Sequence, residues 1–264
     1  MIDVCLLYNE LDLLEVRLRE LEAVVDTFVV LEGTETFAGV PKARTLDVTA
    51  PRWARWAGRL VAHPVPRAPA AATRWDREYL ARDQVVPALH ALGVSDTTLV
   101  LYSDVDEIPD AAVVQAYRDR VTPEAWVGFR PCVSYYYANL RTAEPWSAIA
   151  LAQAQTVRAL GGRGLRDQRR CPPVGVARGV GGWHLSWLGG VDAIRAKLSA
   201  WTHAELDTAV TNNPTHIATC LRERVDLFRR RRWGRMWVAP WATLPATLQA
   251  DPARYAAWLL PEES

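Results

Sequence analysis

The chain has 264 residues, of which 50% are hydrophobic and 23% are charged, and this balance excludes a disordered, collagen-like or low-complexity protein. Its 31 basic and 30 acidic residues give a formal net charge of +1, so a nucleic-acid or membrane partner would have to use a local patch. The cysteines show no zinc-ligand spacing, and we find no signal peptide and no run of about 18 apolar residues, so we expect a cytoplasmic protein without a membrane partner.

The first half of the sequence alternates strand patterns with helix patterns. Short apolar runs predict strands, and they lie at 2–8, 27–33, 60–65 and 98–102. Apolar residues at helical spacing predict helices, which begin at Leu11, at Arg74 (ending near Leu92) and at Pro109 (ending near Arg120). This alternation predicts an α/β fold with a mostly parallel sheet covered on both faces.

The second half is less regular. Residues 126–140 read as one long strand or a hairpin, and 161–182, rich in Gly, Pro and Arg, predict a long functional loop. Two helices are expected at about 190–206 and 214–232. Because no linker separates these segments sharply, we expect one domain over 1–264.

The acidic motif Ser103-Asp104-Val105-Asp106-Glu107 directly follows an apolar strand. In extended chain Asp104 and Asp106 project to the same side, where two carboxylates suit Mg²⁺ or Mn²⁺ bound together with nucleotide phosphates. The alternative is that these acids only cap the next helix. Because three adjacent acids repel one another unless a cation compensates them, Glu107 favours the metal site.

A second motif, GGWHLSWLGG at 181–190, places His184 between tryptophans and glycines. A lone histidine is more often structural than a ligand. Here Gly189 and Gly190 allow backbone N–H groups to approach a phosphate at the start of the following helix, and Lys197 on that helix is placed to reach the same anion.

These motifs, taken in order, give the sequence a family resemblance. The segments are YNELDLLEVRLRELEAVVDTFVVLEGTETFAGVPK at 8–42, WDREYLARDQ at 75–84, SDVDEIP at 103–109, and GWHLSWLGG with KLSAWTHAE at 182–205. Over about 200 residues the chain resembles glycosyltransferase family 17, the group of the β-1,4-N-acetylglucosaminyltransferase that adds bisecting GlcNAc to N-glycans.

The resemblance implies a GT-A type, Rossmann-like fold with a helical C-terminal part. It further implies a nucleotide-sugar donor, expected to be UDP-linked, and a Mn²⁺ or Mg²⁺ ion on Asp104 and Asp106, with His184 completing the metal shell. Transfer of GlcNAc or another hexose would invert the anomeric carbon. We expect 1–125 to bind the donor and 126–264 to bind the acceptor, a glycan or small molecule. The membrane anchor of the animal Golgi enzymes is absent from this sequence, so a Golgi glycoprotein acceptor is not carried over.

Individual roles follow from the charges of this reaction. The departing nucleotide diphosphate needs cations, and we expect Lys197 and Arg77 to assist the metal. The acceptor hydroxyl needs a base, for which Glu205 is the first candidate, followed by Asp192 and Glu107. Further donor contacts are expected from residues at strand ends and on the helix after 74, namely Tyr8, Asn9, Glu10, Glu32, Arg77, Arg82, Asp104, Gly189 and Lys197. An ordinary salt-bridged face is the equally weighted alternative for Arg77 and Arg82.

Two arginine-rich segments, 163–170 and 222–235, are not explained by sugar transfer in general. Arginines interleaved with tryptophan suit a phosphate backbone and unstacked bases, so a hydroxylated base in DNA is an alternative acceptor. A metal-dependent phosphohydrolase or nucleotidyltransferase would also use clustered acids after a strand. A non-catalytic module that binds sugars or nucleic acid is the third class.

Overall fold

The computed structural model describes residues 1–143, 146–176, 181–230 and 236–260. Its strands are β1 (Ile2–Leu7), β2 (Thr27–Gly33), β3 (Leu60–Val65), β4 (Leu99–Asp104), β5 (Glu107–Pro109), β6 (Val127–Phe129), β7 (Cys132–Tyr135), β8 (Leu140–Thr142), β9 (Ile149–Gln153), β10 (Val174–Gly175), β11 (Gly182–Ser186) and β12 (Trp237–Val238). Its helices are α1 (Leu11–Leu21), α2 (Arg74–Asp83), α3 (Val85–Ala91), α4 (Ala111–Tyr117), α5 (Ala154–Gln168), α6 (Gly190–Ala200), α7 (Pro214–Glu223) and α8 (Ala246–Ala250).

The larger sheet has seven strands in the order β10-β6-β9-β4-β1-β2-β3. Strands β3, β2, β1 and β4 are parallel, whereas β9 runs antiparallel to both β4 and β6. The chain builds outward from β1 to β3 on one side and returns to place β4 on the other, so the strand order reverses between β1 and β4. This sheet confirms the predicted α/β class.

Apolar side chains cover both faces of this sheet. On one face, Leu14 and Leu18 of α1 are fully buried together with Trp53. On the other, Leu89 of α3 and Val157 of α5 are fully buried against the strands. Because β1, β2 and β4 are buried on both faces, their sequences are nearly continuous apolar runs, as expected for parallel strands between helices.

The second sheet has five strands in the order β12-β8-β7-β11-β5. The chain passes from the first sheet into the second through a turn at Val105 and Asp106, between β4 and β5. A third apolar cluster joins this sheet to α6 and α7, and includes Trp187, Ile194 and Ile217. The acidic motif therefore lies where the two sheets meet.

Several predicted boundaries differ from the structure. Residues 126–140 form parts of three strands, because β6 joins the first sheet while β7 and β8 form a hairpin in the second. The predicted helix over 74–92 is two helices that meet at Gln84. Asp110 caps α4 with its side chain, so Pro109 lies in β5 and does not open the helix.

The predicted loop over 161–182 is wrong for its first part, since α5 continues to Gln168 through a kink at Gly161. Helix α7 ends at Glu223 because Arg224 adopts a left-handed conformation (φ 54°), so the predicted helix over 214–232 is too long. Residues 177–180 and 231–235 lie outside the described residues. In the described ranges, each helix is too short or too polar to cross a lipid bilayer.

Candidate functional site

Two cavities open at the carboxyl ends of the parallel strands, where the strand order reverses between β1 and β4. Open α/β sheets bind ligands at such a switch point. The first cavity is lined by residues that follow β1, β2 and β3, among them Tyr8, Glu35 and Pro66. The second lies against the other sheet, and Trp146 and His184 line it. Both cavities share a wall made of Glu78, Arg82, Asp104, Asp106, Lys197 and Trp201.

Asp104, the last residue of β4, is held by two arginines. Arg82 donates to both of its carboxylate oxygens, at 2.7 and 3.1 Å, and Arg166 Nη2 lies 3.1 Å from Oδ2. Burial alone would raise the pKa of Asp104, but the two guanidinium groups hold it well below its ordinary value. Asp104 is therefore ionised, and the two arginines balance its negative charge.

Asp106 lies in the turn and pairs with a lysine. Lys197 Nζ donates to its Oδ2 atom at 2.8 Å, and His184 Nε2 lies 3.8 Å from the same oxygen. Burial opposes ionisation of Asp106, but Lys197 and His184 lower its pKa. Burial in turn lowers the pKa of His184, which favours the neutral imidazole. The Nδ1 atom of His184 is buried without a hydrogen-bond partner in the described part of the chain.

Glu107 is completely buried, and both of its carboxylate oxygens accept hydrogen bonds. Arg166 donates to both of its carboxylate oxygens at 2.8 Å, and the Trp146 indole donates to Oε1 at 2.7 Å. The backbone N–H of Asp104 donates to Oε2 at 2.9 Å. Across the second sheet His184 pairs with Glu107, and Trp146 stacks on His184 with ring centroids 4.7 Å apart. Glu107 thus joins the acidic turn to the second sheet.

A buried arginine of α1, Arg17, donates hydrogen bonds to the backbone on both sides of the acidic turn. Arg17 forms a fork with Asp3, with N···O distances of 2.6 and 2.8 Å. It also donates to the backbone carbonyls of Asp104 at 3.0 Å and Glu107 at 2.7 Å, and to Ser103 Oγ at 2.9 Å. One guanidinium group therefore holds the turn at both ends.

Glycine in α5 allows Arg166 to reach the acidic motif. A Cβ atom at Gly162 would lie 2.1 Å from the carbonyl oxygen of Arg82 and 2.5 Å from the hydroxyl of Tyr102. Only glycine permits this close approach of α5 to α2 and β4.

The other predicted donor-binding residues divide into two groups. Tyr8, Glu10 and Arg77 line the first cavity, and Glu10 Oε1 lies 3.9 Å from Lys197 Nζ. Asn9, Glu32 and Gly189 line neither cavity. The buried carboxylate of Glu32 accepts from Lys42 Nζ at 2.8 Å and from the N–H of Thr45 at 2.6 Å, and Gly189 caps α6 in a left-handed conformation.

The predicted base candidates are placed differently from one another. Asp192 is exposed on the first turn of α6 and Glu205 is 65% exposed, and neither lines a cavity. Glu205 Oε1 lies 2.6 Å from His203 Nδ1, and the imidazole of His203 does line the second cavity.

The arginine-rich segments contribute to the second cavity. Arg163, Arg166, Arg169 and Arg230 line it. Carboxylates pair with three of them, at 3.5 Å for Arg163, 2.8 Å for Arg166 and 2.7 Å for Arg230. These contacts give no support to a nucleic-acid acceptor.

A metal ion would find two protein ligands in this arrangement. Across the described ranges, no three His, Cys, Asp or Glu side chains are grouped so that they could hold a metal on their own. Asp106 and His184, separated by 3.8 Å, offer a carboxylate oxygen and an imidazole nitrogen. Such a pair fits a cation whose other ligands are phosphate oxygens and water. Asp104 fits less well, because arginines engage both of its oxygens.

Sequence reasoning missed Arg166, Trp146, Arg17 and His203. Arg163, Arg166 and Arg169 recur every third residue, a spacing that favours one helical face and was the available signal for α5. Trp146 and Arg17 give no local signal, since their partners lie 39 and up to 90 positions away.

Comparisons with known proteins give one family match and one similar solved structure. A family model described as Glycosyltransferase family 17 matches residues 1–230. Among solved structures, the chain is similar to one titled "Crystal structure of 4-diphosphocytidyl-2C-methyl-D-erythritol synthase", with 15% identity, a TM-score of 0.42, and coverage of 67% of this chain and 88% of that chain. A search of curated proteins found no match.

Proposed function

We propose how this chain, which belongs to glycosyltransferase family 17, transfers sugar. As a nucleotide-sugar-dependent glycosyltransferase, it transfers a hexose from a donor in one cavity to an acceptor in the other. The donor occupies the first cavity, and the hydroxyl of a glycan or small-molecule acceptor enters the second. The observation that carries the proposal is the shared wall, because group transfer needs donor and acceptor sites that meet at one point.

The nucleotide, in this proposal a UDP moiety, lies at the ends of β1, β2 and β3. Tyr8 and Phe37 offer aromatic rings to a base there. The Nε atom of Arg77 is buried without a hydrogen-bond partner in the described structure, and its nearest carboxylate is Glu35 Oε2 at 3.7 Å, so a donor oxygen would complete its hydrogen bonding. A nucleotide placed in this way directs its diphosphate toward Lys197 and Arg82 in the shared wall.

Mn²⁺ or Mg²⁺ bound with the diphosphate is part of the proposal, and Asp106 and His184 would hold it. Carboxylate oxygen and imidazole nitrogen are ligands that Mn²⁺ accepts. When bound, the cation neutralises charge on the diphosphate. Lys197 must then leave Asp106, and its ammonium becomes available to a phosphate oxygen.

The protein's own cations assist departure of the nucleotide diphosphate. Burial opposes protonation of Lys197, but Asp106 and Glu10 raise its pKa above the ordinary value. When Lys197 leaves Asp106, the diphosphate replaces that carboxylate as its anionic partner and keeps it protonated. Fixed positive groups in a buried site stabilise a developing negative charge far better than they do in water. An inverting transfer then needs a base on the acceptor side, which is the second cavity.

The test is calorimetric titration of the full chain with UDP, GDP, UDP-glucose and UDP-GlcNAc, each with Mn²⁺ and with EDTA. We expect Mn²⁺-dependent binding of one nucleotide that Asp106→Asn weakens at least tenfold. Asp119→Asn is the matched control, because Asp119 is 97% exposed and lies outside both cavities.

Three results would contradict the proposal. Nucleotide binding that neither EDTA nor Asp106→Asn affects would show that no metal ion on Asp106 takes part in donor binding. Release of phosphate from the donor without transfer of sugar would indicate a phosphohydrolase, and sugar binding without turnover would indicate a binding module.

A further inference from the structure

Two of the three base candidates named from sequence, Glu205 and Asp192, do not line the second cavity. The third, Glu107, has both carboxylate oxygens bound by Arg166. The three carboxylates of the shared wall are all in ion pairs with basic side chains. Arg82 donates to Asp104 and Lys197 donates to Asp106. Glu78 accepts from Arg82 at 2.8 Å and from the hydroxyl of Thr202. Each of these groups would have to break an ion pair before it could take a proton from an acceptor.

His203 differs from these carboxylates. Its Nδ1 atom lies 2.6 Å from Glu205 Oε1. The hydrogen bond from His203 lowers the pKa of Glu205, so this carboxylate is ionised at neutral pH and only accepts. The proton of a neutral imidazole is therefore on Nδ1, and the lone pair is on Nε2. In the described chain, no protein group hydrogen-bonds to this Nε2.

The position of the ring matches this chemistry. His203 lines the second cavity but not the first. Its imidazole packs between two indoles, with centroid distances of 5.0 Å to Trp75 and 4.5 Å to Trp201. Trp201 belongs to the shared wall, so His203 lies beside the point at which the two cavities meet. Thr202, its neighbour, is anchored to buried Glu78, which fixes the backbone next to the ring.

We infer that His203 is the general base of the transfer and that Glu205 is the positioning residue that orients it. This inference rests on the proposed function. The acceptor O–H bond breaks and its proton moves to His203 Nε2, while the acceptor oxygen forms a bond to the anomeric carbon. The bond between that carbon and the phosphate oxygen breaks, and its electron pair leaves with the nucleotide diphosphate. Glu205 stabilises the imidazolium that results.

The kinetic test follows turnover of UDP-glucose and UDP-GlcNAc, with Mn²⁺ and with water or methyl glycosides as acceptors. A positioned base contributes about 10²- to 10⁴-fold, so we expect His203→Ala to lower kcat by about 100-fold or more. Donor affinity measured by calorimetry should stay unchanged, and added imidazole should restore part of kcat. His90→Ala is the matched control, because His90 is exposed on α3 and lies outside both cavities.

A spectroscopic test does not depend on turnover. Nitrogen-15 NMR of the wild type should show the His203 imidazole protonated on Nδ1, and Glu205→Ala should shift it toward the Nε2-protonated form. Glu205→Ala should also lower kcat more than it changes KM.

The inference is overturned if His203→Ala turns over donor at the wild-type rate, or if the wild-type ring carries its proton on Nε2. Asp167 also lines the second cavity, where it pairs with Arg163 at 3.5 Å, and is the competing base. Loss of activity in Asp167→Asn, with His203→Ala still active, would also overturn the inference. Failure of the proposed function looks different, because the wild type itself would then bind no nucleotide, bind it regardless of EDTA, or transfer no sugar.

Discussion

At the scale of single residues, the site is a set of carboxylates whose charges the chain itself balances. Asp104 has two arginines and Asp106 has a lysine. Such pairs tolerate burial because each charge keeps a partner at hydrogen-bond distance. In the proposed function, a diphosphate that enters the shared wall competes for these same cations, so donor binding would exchange their carboxylate partners for phosphate.

Lys197→Met tests this exchange. The variant loses the ammonium that faces the diphosphate, and a hydrogen bond to a charged group contributes about 1.5–3 kcal/mol. We therefore expect UDP affinity at saturating Mn²⁺ to fall about 10- to 100-fold. Affinity for Mn²⁺ should rise, because the ammonium no longer competes for Asp106 Oδ2. Calorimetry measures the first effect and electron paramagnetic resonance of free Mn²⁺ the second; an unchanged Mn²⁺ affinity would contradict the exchange.

The sequence predicted the acidic part of this site more completely than its basic part. Asp104, Asp106 and His184 are in compact motifs, and they do line one cavity. Their actual arrangement depends on a turn at 105–106 and not on extended chain. Arg166 could not be found in the same way, because only the packing of α5 against β4 brings it to Asp104, 62 positions away.

At the scale of elements, the passage from β4 to β5 determines where the acidic motif points. Leu6 of β1 pairs with Asp104 in register, and the N–H of Leu185 donates to the carbonyl of Asp106 at 2.8 Å. Arg17 of α1 holds the same turn from inside the core. The motif is thus held by both sheets and one helix.

Arg17→Ala should separate stability from positioning. Loss of the guanidinium leaves Asp3 buried without its partner, which costs about 3–5 kcal/mol in the free energy of unfolding. The double variant Asp3→Ala with Arg17→Ala should recover part of this loss, since the unpaired charge is gone. It should still bind UDP and Mn²⁺ weakly, because the carbonyls of Asp104 and Glu107 remain unsupported. Urea unfolding and calorimetry report the two effects; recovery of both together would assign Arg17 a purely structural role.

The first half of the fold was predictable because its periodicities are strong and local. Strands β2 and β3 have the predicted limits, since their apolar runs end at turn residues. The part of α5 after Leu160 was predicted as the start of a loop over 161–182, because that stretch is rich in Gly, Pro and Arg, and glycine disfavours helix in isolation. The close contacts of Gly161 and Gly162 with Asp83 and Arg82 supply the missing reason, and those contacts are tertiary.

At the scale of the whole molecule, one buried carboxylate joins distant parts of the chain. Glu15 of α1 accepts hydrogen bonds from Arg19 at 2.9 Å, Arg52 at 2.8 Å and Arg254 at 2.8 Å. The C-terminal segment is therefore attached to the first helix over 239 positions. Burial alone would raise the pKa of Glu15, but hydrogen bonds from Arg254, Arg19 and Arg52 lower it to about 2.

This cluster predicts a loss of stability in acid. A carboxylate with a lowered pKa in the folded state stabilises the protein above its unfolded value near 4.5 and loses that contribution as the pH falls toward about 2. Because the arginines are partly exposed, we expect a loss of only about 2 kcal/mol from Glu15 between pH 5 and 2.5. Urea unfolding at both pH values measures it. Arg254→Gln should reduce the difference, and an equal pH dependence in that variant would exclude the cluster as its source.

The residues of the shared wall are synthesised at widely separated times during translation. Glu78, Arg82, Asp104 and Asp106 belong to the first 110 residues, whereas Lys197 and Trp201 follow much later. A nascent chain that has emerged only as far as β5 carries Arg82 beside Asp104 but lacks Arg166 and Lys197. The charges of Asp104 and Asp106 are therefore balanced as in the folded protein only when α5 and α6 are also present. A chain that stops before residue 197 therefore lacks two of the six residues of the shared wall, so neither cavity is complete without α6 and the residue that follows it.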